Sequence, residues 1–285
     1  MITDIRDRPS LSGEELTGLN FINASGGYVF RKFYRAGLRS HIFEVLSKAD
    51  IDTETRGCTV DGIRMFPRAI PLKMFRILRR RFNSKEEVFD EINKYNLLLS
   101  FLGPECIATS DELMVDYTGT GRHQIVLCGL QEYVNGEILD PWRITGPDHL
   151  SDMYTALKID QIPRNRWVAG AMHNISGFID KIKNMIKESS YIPDLAGIGN
   201  LILTPDAGIK LVDINNIVHI MLDREIRVDD KGYPSCDVSV QVLYILETEI
   251  LKKTIPPDDP LYQLFLAPER KEQVRQMEKA FYMNL

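Results

Sequence analysis

The sequence predicts a mixed α+β protein in which a smaller strand-rich part precedes a larger helical one. Three observations carry this expectation. Up to about residue 133 the apolar residues fall in short runs broken by Gly and Pro. From residue 140 onward they recur at helical spacing. Within the helical part, Leu201-Ile202-Leu203 and Ile209-Lys210-Leu211-Val212 flank Pro205-Asp206-Ala207-Gly208, so a hairpin is expected there.

The elements follow in chain order. Leu11 to Leu19 reads as a short helix, with Ser12 ahead of Glu14 and Glu15. Tyr28 to Arg35 alternates like a strand, after a Gly26-Gly27 pair suited to a turn or to close approach of a phosphate. Residues 41–72 read as short strands and turns: His41 to Leu46, Ile63 to Phe66 and Ala69 to Phe75 are apolar runs, and Pro67 separates the last two. Residues 1–60 are expected to be an N-terminal extension or the first strands of the small part. Lys73 lies inside the third run, where an ammonium requires a partner or an anion. Arg76, Arg79, Arg80 and Arg81 form a basic cluster, expected to be a solvated face or to meet a phosphate. Ser84 and Glu87 have capping-box spacing and open a helix with Val88, Ile92, Tyr95 and Leu99 on one stripe and Glu91 at its edge.

Gly103-Pro104 ends that helix. Glu112 to Tyr117 and His123 to Tyr133 read as strands joined by a glycine-rich turn, and the second exits through Val134-Asn135-Gly136. Asp148 to Lys158 and Asn165 to Lys187 are expected helices, the longer burying Ile175, Phe178, Ile179, Ile182 and Ile186. Ser235 to Glu247 and Glu269 to Met283 complete the helical part. Asp237 is expected to be structural, as an N-cap or as a brace to a neighbouring loop.

Composition narrows the function classes. The chain of 285 residues is 44% hydrophobic and 26% charged, ordinary for a globular protein. Its net charge of −5 argues against a general nucleic-acid binder. Cys58, Cys106, Cys128 and Cys236 form no CxxC pair, so reduced thiols in a cytoplasmic protein are expected rather than a zinc site. No apolar run reaches transmembrane length, and the first residues have no signal-peptide core. His41, His123, His149, His173 and His219 have no evident nucleophile partner.

The most informative stretch is Tyr191 to Ile217, YIPDLAGIGNLILTPDAGIKLVDINNI. Folding the hairpin brings Asn200 and Asp213 together at its open end, with Asp194 just upstream. Hard oxygen ligands at the end of a rigid hairpin suit Mg, which takes one or two carboxylates plus phosphate oxygens. Asp194 would stand beside the ion as a base.

This layout resembles the catalytic and metal-binding loops of the protein-kinase-like superfamily, where an Asp, an Asn, a hairpin and a second Asp follow in that order. Lys73, Glu91, the Glu132-Tyr133-Val134 exit and Asp237 stand in the matching order. There are departures. Five residues separate Asp194 from Asn200 where the family has four, Ile192 replaces its His, and no GxGxxG is present.

The resemblance implies a two-lobed protein-kinase-like fold, with residues 61–134 as the N-lobe and 135–285 as the C-lobe. It implies an ATP- and Mg-dependent phosphotransferase. In that scheme Asp194 acts on the attacking hydroxyl, and Asn200 and Asp213 hold Mg. Lys73, anchored by Glu91, holds phosphates, with Lys32 as its rival. Glu132 and Val134 bind adenine through their backbone. The short segment after Asp213 looks more like small-molecule, sugar or lipopolysaccharide kinases than protein kinases. The alternative is a pseudokinase serving as a nucleotide-binding or scaffolding module.

Overall fold

The computed structural model describes residues 4–23, 26–34, 37–144 and 146–283. They form two compact units, residues 1–93 with 109–133 and residues 94–108 with 134–285.

The first unit is built on a five-stranded antiparallel sheet in the order β1-β2-β5-β7-β6. Its strands are β1 (Tyr28–Lys32), β2 (Ser40–Ser47), β5 (Lys73–Leu78), β6 (Ser110–Tyr117) and β7 (Gln124–Glu132). The expected first strand thus ends at Lys32; Arg35, its expected end, lies outside the described residues. Strand β5 starts later than the apolar run suggested, because Pro71 interrupts that run.

Successive side chains of a strand face opposite sides, so each strand contributes to two layers. On one side Phe43, Val45, Phe75, Ile77, Val126 and Cys128 pack with Ile5, Leu11 and Leu16 of the N-terminal segment. That segment contains α1 (Gly13–Thr17), held by a reciprocal capping box between Ser12 and Glu15. On the other side Leu78 and Leu127 pack against Phe82 and against Val88 and Ile92 of α3 (Lys85–Leu102).

Residues 48–56 differ from the expected strands and turns, whereas the Ile63 to Phe66 run does form a strand. Lys48–Arg56 is a helix, α2, capped by the Ser47 side chain on the Ala49 N–H. Its charged sequence buries nothing, so apolar periodicity could not reveal it. Strands β3 (Cys58–Val60) and β4 (Ile63–Met65) form a separate ribbon. Gly57 and Gly62 therefore serve this ribbon, at its base and its turn.

His41 is buried within the first unit, its Nε2 lying 2.8 Å from the Ile5 carbonyl oxygen and its Nδ1 3.4 Å from an Arg79 nitrogen. Nε2 therefore carries the hydrogen, and Nδ1 accepts from the guanidinium. Burial, joined by Arg79, depresses the imidazole below its ordinary value of 6.5. The unfolded chain takes up the proton first, so stability falls as pH drops below about 6.5. The expected slope is at most about 1.4 kcal/mol per pH unit. Melting temperatures measured from about pH 7.5 to 5.5 should show it, and His41→Gln should flatten the curve. An unchanged slope in that variant would remove His41 as the source.

The second unit is mainly helical: α4 (His149–Ala156), α5 (Arg164–Ser189), α6 (Ser235–Ile245), α7 (Pro260–Phe265) and α8 (Pro268–Met283). The boundary between the units falls within α3, whose last residues Tyr95, Leu98 and Leu102 join the core of the second unit. Helix α5 buries Trp167, Ala171, Ile175, Phe178, Ile179, Ile182 and Met185 along one face. After Ile245 the chain widens into a π turn, Leu246–Ile250. Among the described residues, no helix is long and apolar enough to cross a membrane, and all four cysteines are free thiols.

Three short pairings complete this unit. Strands β10 (Leu201–Leu203) and β11 (Ile209–Leu211) form the expected hairpin, and β8 (Glu137–Ile138) adds to β10. Strands β9 (Tyr191–Pro193) and β12 (Ile217–His219) pair with each other, a ladder that sequence reading did not find. Three-residue strands without a turn between them leave no local signal.

Candidate functional site

The site is built where these two ladders meet. The β10–β11 register pairs Leu201 with Leu211, and the Val212 N–H donates to the Asn200 carbonyl at 2.8 Å. Asn200 and Asp213 thus sit at the open end of the hairpin. The β9–β12 register pairs Pro193 with Ile217, and the Asp194 N–H donates to the Asn216 carbonyl at 2.8 Å. This ladder delivers Asp194 to the same place as the hairpin end, and the Asn200 side-chain nitrogen donates to the Asp194 carbonyl at 2.9 Å. Asp194, Asn200 and Asp213 are therefore brought together.

The interval Leu195–Gly199 is taken up in a compact loop. The Leu195 N–H donates to Ser239 Oγ at 3.0 Å, and the Trp142 indole N–H donates to the Ala196 carbonyl at 3.2 Å. Gly199 has φ +91°, which favours glycine. At Gly197 a Cβ would lie 2.6 Å from Asn200 Oδ1, so only glycine lets the Asn200 amide lie against the loop.

Asp194 is buried, 7% exposed. Its Oδ1 accepts from the Ala196 N–H at 2.9 Å, and its Oδ2 from the Asn216 side-chain nitrogen at 2.8 Å. The Asn216 nitrogen also reaches Asp229 Oδ2 at 3.4 Å. Asn216 was missed in the sequence because its role depends on the β9–β12 ladder.

The donor set can be tested against a divalent ion. Asn200 uses its NH₂ on the Asp194 carbonyl, which leaves its carbonyl-type Oδ1 as a hard acceptor. The Asp213 carboxylate meets the Asn215 N–H at 3.4 Å, a long contact that leaves most of its acceptor capacity unused. One amide oxygen and one carboxylate fit Mg, which fills its remaining positions with water and phosphate oxygens. Among the described residues no three His, Cys, Asp or Glu side chains cluster to hold a metal by themselves.

Asp237 neither caps α6 nor braces the loop. The helix starts after Pro234, and Asp237 forms a two-pronged pair with Arg270, at 2.5 and 3.2 Å. Arg270 also donates to the carbonyls of Asp223 and Glu225. Ser239, two residues along α6, takes the bracing role instead.

The first unit corrects the expected lysine–glutamate pair. Lys73 lies opposite Val45 and Glu132 in the sheet, on the layer of Phe75 and Ile77. Helix α3 covers the opposite layer. Glu91 accordingly pairs with Arg80 at 2.5 Å. Lys73 and Glu91 are on different sides of the sheet, and a sequence interval alone does not register sidedness.

The cation on the α3 side of β5 is Arg76, three residues further on. It is 5% exposed and crosses Gly129 of β7 to reach Ser110 at 3.1 Å and Glu112 at 2.7 Å on β6. A Cβ at Gly129 would lie 2.5 Å from the guanidinium, so this glycine makes the crossing possible. The buried Nε of Arg76 has no hydrogen-bond partner.

Glu132 ends β7, its N–H donating to the Thr109 carbonyl at 2.7 Å and its carboxylate accepting from the Thr109 N–H at 3.3 Å. Val134 is buried and opens the second unit. Lys32, the rival lysine, donates to Ser10 Oγ at 2.7 Å and lines a cavity of about 810 Å³ with Arg8, Glu54 and Thr55. That cavity contains none of the other expected site residues. No protein-family model matches the chain, and no curated protein matches its sequence.

Proposed function

We propose that the chain is an ATP- and Mg-dependent phosphotransferase with a two-lobed protein-kinase-like fold. It acts in the cytoplasm on a hydroxyl of a small molecule, sugar or lipid-linked sugar. The observation that carries this is the convergence of Asp194, Asn200 and Asp213 on one hairpin end, with the Asn200 amide fixed by the Asp194 backbone. A small antiparallel sheet with one main helix, followed by a larger helical unit, is the architecture the reading calls for.

Asn200 Oδ1 and the Asp213 carboxylate would hold Mg, which supplies neutralisation of phosphate charge. Asp194 orients the acceptor hydroxyl and accepts its proton. The Ala196 N–H and the Asn216 amide donate to its carboxylate and fix its orientation. In this reading Lys73, with Lys32 as its rival, meets the phosphates, and Glu132 and Val134 offer backbone groups to adenine.

A second reading is a nucleotide-binding or scaffolding module without turnover. The pairing of Glu91 with Arg80, and the placement of Lys73 away from α3, favour it. The deciding experiment is thermal stability with ATP, with and without Mg. A ligand that binds the folded state raises the melting temperature. The expected result is a Mg-dependent rise in the wild type that Asp213→Asn loses. ATP consumption that Asp194→Asn reduces at least about 100-fold, with the melting shift retained, supports the enzyme. Binding without consumption leaves the nucleotide-binding module, and no shift with any nucleotide leaves the scaffold.

A further inference from the structure

The first unit carries an element that the proposed reaction does not use. In the β3–β4 ribbon, Cys58 pairs with Met65 and Val60 with Ile63. These four side chains therefore share one face, and Thr59 and Arg64 share the other. Every residue from Thr59 to Arg68 is exposed, so the ribbon projects from the unit with both faces in solvent.

Its apolar side chains are not scattered. Val60, Ile63 and Met65 are 49–67% exposed, and the chain leaving the ribbon adds Phe66, Ile70 and Leu72 at 51–64%. An isolated two-stranded ribbon is marginally stable in water, and a concentrated apolar surface of this kind marks an interaction site. The ribbon is nevertheless well specified. Asp61 and Gly62 both have positive φ, at 51° and 78°, which is the tight turn matched to ribbon twist. At its base, a Cβ on Gly57 would lie 2.9 Å from the Phe66 ring.

Charge identifies the partner. Between residues 56 and 68 stand Arg56, Arg64 and Arg68 against Asp61 alone, within a chain of net charge −5, and Arg68 also reaches the Glu44 carboxylate at 3.2 Å. We propose that the ribbon and its exit to Leu72 dock the protein on an anionic lipid surface. Apolar side chains enter the acyl boundary while the interleaved basic groups meet lipid phosphates. A projecting ribbon requires no preformed groove in its partner, which favours a bilayer over a protein.

The test is co-sedimentation of the full chain with vesicles of phosphatidylserine and phosphatidylcholine, against phosphatidylcholine alone. The wild type is expected to partition to the anionic vesicles, less so at high salt. The double variant Ile63→Ser, Phe66→Ser should lower partitioning about tenfold or more. Arg64→Gln should lower it about fivefold. All three positions are exposed, so unchanged melting temperatures show that folding is not the cause. Absence of vesicle binding overturns the proposal, as does binding that the double variant leaves intact. So does a lipid-free dimer that the double variant dissolves, which would make a second copy the partner.

Discussion

Arg270→Ala is expected to destabilise the second unit by about 3–5 kcal/mol. The guanidinium is the ion-pair partner of Asp237, whose side chain is 1% exposed, and its loss leaves a buried carboxylate without its counter-charge. Burial already pushes the Asp237 carboxyl above its ordinary value, against the opposing pull of Arg270. The variant also frees the carbonyls of Asp223 and Glu225, so the segment that follows β12 loses its tie to α8. Both tryptophans, Trp142 and Trp167, belong to the second unit, so denaturant unfolding followed by their fluorescence reads this unit alone. Adding Asp237→Asn to Arg270→Ala should recover part of the loss, because the stranded charge is removed. A single-variant loss under about 1 kcal/mol would mean that the pair is not the anchor described here.

Arg76→Ala is expected to cost the first unit about 3–5 kcal/mol, because it strands Glu112, whose side chain is 6% exposed. Arg76→Lys should lose less, because the contacts to Ser110 and Glu112 both come from Nη2 and an ammonium keeps a positive charge opposite Glu112. A loss under about 1 kcal/mol in Arg76→Ala would mean that the pair does not anchor the sheet. Lys73→Ala is expected to weaken the Mg-dependent ATP melting shift without a comparable loss of stability. A shift kept in Lys73→Ala and lost in Lys32→Ala would give the phosphate role to Lys32.

The contrast between Lys73 and Arg76 shows where local reading stops. The sequence determined what depends on neighbours a few residues apart. The stripe of α5, the Ser12 capping box, the Pro205–Gly208 turn and the meeting of Asn200 with Asp213 all follow from periodicity or turn chemistry within a short window. Only the tertiary structure decided which layer of a strand faces α3, because that depends on sheet order and on which element covers each side. It also decided the Asn216 contact to Asp194 across β9–β12, the Ser239 support of Leu195, and the Asp237–Arg270 pair between α6 and α8. Each joins residues more than 20 positions apart, where spacing along the chain no longer fixes distance or direction.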